Sequence, residues 1–183
     1  MKRIEQILLG AAVAALMGEP ASAQSKFSAA EAVAAITQRS PSLSAHAEQE
    51  FFKRYYVEYF RAWSPGDSAF DINQAAPFYR HDNRLTAFDI FPPVSGFTGW
   101  TAYAAGLSAT MAATALFDIV PDPASFHYER NGNVVWMSML FQAKGRLKSG
   151  APIDVPGRNT LVLERQGARW LIVHEHISTP MGG

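Results

Sequence analysis

The segment 45-AHAEQEFFKRYYVEYFRAW-63 limits this chain more than any other. Phe52, Tyr55, Tyr56, Tyr59, Phe60 and Trp63 recur at three- and four-residue intervals, while Glu50, Lys53, Arg54, Glu58 and Arg61 take the opposite side. The spacing predicts a helix with one almost wholly aromatic face, stopped at Ser64-Pro65-Gly66-Asp67. Such a face needs a broad apolar partner, and the rest of the chain offers one. A shorter helix is expected over 71–79, a strand over 84–91 halted by Pro92-Pro93, and a third helix over 100–113. Strands follow at about 115–120, 124–131, 133–146, 153–165 and 169–178, with Asn131-Gly132 and Gln166-Gly167 as turns. Helices first and a twisted antiparallel sheet after predict an α+β fold, with about three helices packed on one sheet face.

The start of the chain reads differently. Lys2 and Arg3 precede the compact apolar run 7-ILLGAAVAALMG-18, and Ala21-Ser22-Ala23 has small residues where a cleavage site needs them. This is the layout of a secretory signal peptide over 1–23, too short to span a membrane. A periplasmic or secreted mature chain beginning near Gln24 is expected. Residues 24–44 read as a helical tether and linker, with Ser28 and Glu31 in capping-box spacing and Ser40-Pro41 after it. The domain proper is 45–183. The sequence holds no cysteine, so disulfides and thiolate metal sites are excluded. Formal net charge is zero, and there is no basic footprint for nucleic acid or for an anionic membrane surface. With aromatics at 12% and clustered, an apolar cavity or a large apolar interface is the expectation.

The most suggestive stretch for chemistry is 169-RWLIVHEHISTP-180. In a strand, Trp170, Ile172, His174 and His176 share one face and Glu175 takes the other, as a surface or interface charge. The histidine pair fits three roles: polar residues closing a sheet, a proton-transfer pair, or half of a metal site. His-x-His supplies only two ligands and no second cluster completes them, so neither metal nor other cofactor is expected. Alternation alone does not say which face meets the core, and one β-bulge would invert the answer.

The order helix, short helix, strand, Pro-Pro, helix and β-meander, with 88-FDIFPP-93, Gly99 and 158-RNTLVLERQGARWLIVHEHIS-178, resembles the SnoaL-like or ketosteroid isomerase-like proteins of the nuclear transport factor 2-like superfamily. The resemblance runs from about Ala45 to Pro180. It implies a cone, a curved sheet wrapped around helices with a pocket at the open end, and a homodimer through the sheet. The same fold carries isomerases, dehydratases, cyclases and noncatalytic binding modules, so the residues must decide.

By the same resemblance Tyr59, eight residues before Asp67, stands where the isomerase keeps a donor tyrosine, and Asp89 where it keeps its base. The second acid of that enzyme would fall at Arg158 to Thr160, where there is none, which argues against steroid isomerisation itself. Under the catalytic reading Asp89 is the base, Tyr59 a hydrogen-bond donor, and His176 or His174 a second acid–base group. Arg158, Thr160, Trp63, Trp136 and Tyr56 are the candidate lining of a site for a small apolar or polycyclic ligand. Under the competing reading the domain is a noncatalytic periplasmic binding or assembly module. The two differ in whether titratable groups converge on an open cavity or the cone is filled and an apolar sheet face stands exposed.

Overall fold

The computed structural model describes residues 44–180. The expected signal peptide and the 28–39 helix lie outside the described residues.

Helix α1 spans Ala45–Ala62 and is capped by Ser44, whose side chain accepts from the Ala47 N–H at 3.2 Å. Its aromatic face is buried as the spacing requires: Phe52, Tyr56, Tyr59, Phe60 and Trp63 are all 5% exposed or less. Each such ring contributes about 1.5–3 kcal/mol by leaving water, so α1 is held by its packing more than by its own helix propensity. The second helical segment is a single α-turn, α2 (Ile72–Ala75), continued as 3₁₀ over Ala76–Phe78. Helix α3, Trp100–Met111, buries Tyr103, Leu107 and Met111 at four-residue spacing. Gly99 precedes it at φ +83°, a conformation that suits glycine, and donates its N–H to Leu85 O at 2.8 Å.

Six strands form one sheet in the order β2-β1-β6-β5-β4-β3. They are β1 Thr86–Phe88, β2 Phe97–Thr98, β3 Thr114–Asn131, β4 Val134–Leu147, β5 Pro152–Gln166 and β6 Arg169–Ser178. The α+β cone is therefore present, with two departures from expectation. The sheet is mixed, because β1 pairs parallel to β6 while the other pairs are antiparallel. A pairing between elements almost ninety residues apart leaves no local signal. And β3 is one strand where two were expected. Its ladder with β4 slips between Asp122 and His127, and Ser125 Oγ accepts the Leu140 N–H at 2.8 Å across the gap. Pro121 is tolerated because β3 is the last strand of the sheet. The expected 84–91 strand shrinks to three residues because Asp89 Oδ1 accepts the Phe91 N–H (3.1 Å) and turns the chain.

On β5, Gly157 stands opposite Phe141 of β4. A Cβ at 157 would lie 2.0 Å from the Phe141 ring, so the glycine is what lets that ring lie flat against the sheet. Gly157→Ala is expected to lower unfolding stability by about 1–3 kcal/mol, measured by urea titration. Combining it with Phe141→Leu should recover most of the loss.

Candidate functional site

Strand β6 decides the interior. Val162 pairs with His174 and Leu163 with Ile172, which leaves Val173 as one extra residue on β6. Before this bulge Trp170 and Ile172 pack on the core; after it the inward positions are Glu175 and Ile177. The expectation of one face for Trp170, Ile172, His174 and His176 is thus corrected, and so is that of an outward Glu175. Glu175 is 1% exposed, while His176 is exposed and His174 half-buried.

A buried carboxylate must have partners, and Glu175 has four. Tyr79 and Tyr103 donate to Oε2 at 2.6 and 2.7 Å, Asn159 Nδ2 donates to Oε1 at 3.0 Å, and Tyr59 also donates to Oε1. Tyr56 donates to the Oδ1 and backbone O of Asn159 at 2.6 and 2.9 Å, which turns the amide nitrogen towards Glu175. Burial, then the Glu175 charge, push the Tyr59, Tyr79 and Tyr103 hydroxyls well above the usual phenol range, so they stay protonated donors. The cluster joins α1, the 3₁₀ turn's C-cap, α3, β5 and β6. The sequence offered two of its members, Tyr59 as a donor to a ligand and Tyr56 as ligand lining, whereas here both hydroxyls bond within the protein; Glu175, Asn159, Tyr79 and Tyr103 were not among the candidates.

Above the cluster, towards the open end, lies a cavity of about 360 Å³. Leu107 and Met111 continue the Tyr103 stripe into it, Ile177 follows Glu175, and Val155 and Ile153 follow Asn159. The walls are apolar. Among the described residues Asp89 is the one ionisable side chain lining it. Burial, and secondarily the Glu175 charge, push its carboxyl up to about 7, against a lowering by the Phe91 and Ile90 N–H groups. Asp89 also borders an outer groove with Phe88, Ile90, Phe91, His174 and His176. There the Phe88 ring meets both imidazoles edge-on, and His174 Nδ1 sits 2.9 Å from Thr86 Oγ1.

The remaining candidates stand elsewhere. Trp63 is core, stacked on Phe70 with its Nε1 unpartnered among the described residues. Trp136 is 42% exposed on the outer sheet face, against His127. Arg158 and Thr160 flank Asn159 on β5 and so point outward, Arg158 exposed and Thr160 half-buried. None of Trp63, Trp136, Tyr56, Arg158 and Thr160 lines the cavity. Among the described residues no cluster has the composition of a metal site, and no helix is long and apolar enough to cross a membrane.

A SnoaL-like domain model matches residues 78–182. A nuclear transport factor 2-like superfamily protein from Salmonella enterica serovar Typhimurium is similar at 18% identity and TM-score 0.64, covering 76% of this chain and 95% of that one. An NTF2-like protein of unknown function from Pseudomonas putida KT2440 is 22% identical, TM-score 0.60, over 75% of this chain and 90% of its own. An uncharacterised cystatin-like-fold protein from Caulobacter vibrioides is 12% identical, TM-score 0.55, over 71% and 87%. At such identities the likeness carries the fold alone. No curated protein matches.

Removing one donor from Glu175 is expected to cost about 1.5–3 kcal/mol, so Tyr103→Phe and Tyr79→Phe should each lower the unfolding midpoint. Glu175→Ala, which strands all four donors, should cost about 3–5 kcal/mol. Chemical denaturation of the three variants checks the order.

Proposed function

The chain belongs to the SnoaL-like domain family, and on that premise we propose that its cone binds a small, largely apolar ligand and that Asp89 exchanges a proton with it. One observation carries the reading: a cavity of about 360 Å³, otherwise lined by apolar side chains and hydroxyls, has a single carboxyl whose pKa is pushed up to about 7. A group poised there gives and takes protons near neutral pH, which is what isomerisation, cyclisation or dehydration asks of it. Tyr59 does not serve as the donor to a ligand in this reading, because its hydroxyl is engaged by Glu175. His174 and His176 border the groove on the outer side of Asp89, from which they relay protons to solvent. The leading segment 1–23 supports export of the domain.

The test joins binding to stability. The neutral apolar dye N-phenyl-1-naphthylamine should fluoresce in the cavity, and Ala143→Phe, which fills the wall, should weaken its binding about tenfold or more. Unchanged dye binding in that variant sinks the reading. For Asp89 the sign follows from the raised pKa. Between the ordinary carboxyl value, 3.8, and about 7 the folded chain holds a proton that the unfolded chain has released, so stability falls with rising pH. Asp89→Asn should therefore become the more stable protein as pH rises through that window, by at most about 1.4 kcal/mol per pH unit. Parallel thermal melts from acid to mildly basic pH read this directly.

A specific surface favours a second property, self-association. Val120, Val134, Trp136 and Leu140 are 50, 41, 42 and 47% exposed on the outer sheet face. A patch of that character is what a homodimer through the sheet would cover. Sedimentation should give a dimer that Trp136→Lys with Leu140→Lys converts to monomer; a monomeric wild type rules the dimer out.

A further inference from the structure

The cavity has a charge preference that follows from where its hydrogen-bond donors went. Thr110 and Thr114 line it, but their hydroxyls donate to Gly106 O (3.1 Å) and Met111 O (2.7 Å) of helix α3. The tyrosine hydroxyls and the Asn159 amide one layer below are directed at Glu175. Helix α3 carries no charged residue, and among the described residues no lysine, arginine or histidine lines the cavity. An anionic oxygen in this space would therefore meet, among the described residues, no side-chain donor except the Asp89 proton. It would also stand near a second negative group, since Glu175 is only two residues along β6 from the lining Ile177, about 7 Å of strand.

For a cation the same surroundings are favourable. Phe91, Phe117 and Phe141 contribute aromatic lining, whose faces attract positive charge. The Asp89 carboxylate supplies a counter-ion once ionised, and the Glu175 field has the same sign. Between apolar walls these terms act at a lower effective dielectric than in water. Resting on the reading of the cavity as a ligand site, we propose that its ligand is an apolar molecule whose polar centre is positively charged, as an ammonium, or becomes so as it reacts. A reaction through an enolate or other anion does not suit this cavity.

Three probes of one shape separate the possibilities: 1-aminoadamantane, 1-adamantanol and 1-adamantanecarboxylate, titrated calorimetrically into the full chain at about pH 8. At that pH Asp89, raised to about 7, is mostly ionised. The titratable groups bordering Asp89 are Glu175 and Tyr103 behind it and His174 and His176 in the outer groove. The amine is expected to bind about tenfold tighter than the alcohol, and the carboxylate about tenfold weaker. Asp89→Asn should remove most of the amine's advantage, and Ala143→Phe should weaken the binding of both amine and alcohol. A carboxylate that binds as well as the alcohol, or an amine advantage undiminished in Asp89→Asn, overturns the charge preference while leaving the cavity reading standing. Failure of all three probes to bind, or amine binding untouched by Ala143→Phe, defeats the cavity reading and the preference with it.

Discussion

The rest of the interior is arranged around one buried carboxylate. Glu175 sits at 1% exposure with no cation beside it among the described residues, a placement that only a full set of hydrogen bonds makes tolerable. Those bonds come from α1, the end of the 3₁₀ turn, α3 and β5. Each partner must therefore reach the same point, and elements distant in sequence are tied to one position on β6. The aromatic face of α1 supplies the bulk of the packing. The carboxylate supplies the reason why that packing has one register, because a shift of any partner strands a donor or an acceptor in an apolar surround.

The cluster also changes what the cone is suited to do. A donor tyrosine on the first helix suggests stabilisation of an oxyanion, as the resemblance implied. Here that capacity is used within the protein. What remains for the cavity above is a set of apolar walls, aromatic rings and Asp89, whose carboxyl is raised to about 7 chiefly by burial. Two carboxyl groups in one cone take different parts: Glu175 has four side-chain donors and holds the structure, while Asp89 accepts from backbone N–H groups of its own turn and borders both the cavity and the outer groove.

Much of this was legible from sequence, and the gaps have physical causes. The helices at 45–63 and 100–113 and the three long strands from 133 on all rest on local periodicity or turn chemistry, while Asp89 was singled out by the family resemblance. The face of β6 does not. Alternation carries His174 and His176 inward if the strand is regular, and a single extra residue at Val173 sends them outward and brings Glu175 in. The bulge has no sequence signature of its own at Val173, a good strand former between Ile172 and His174. Asn159 has no such signal, because an amide there makes sense only once the acid is known to stand on the adjacent strand. Tyr79 and Tyr103 did carry a usable signal, being single tyrosines at otherwise apolar positions.

The ends of the sheet have a consequence for how copies of this chain meet in a crowded compartment. A sheet that leaves a long regular strand at its margin invites another chain to extend it, the first step towards fibrous aggregation. Here one margin is β2, two residues long, and the other is β3, where Pro121 and Pro123 bear no N–H and the ladder slips between Asp122 and His127. Neither margin offers an unbroken row of backbone groups. Strand addition is discouraged at both ends of the sheet, so encounters between copies are steered away from its rims.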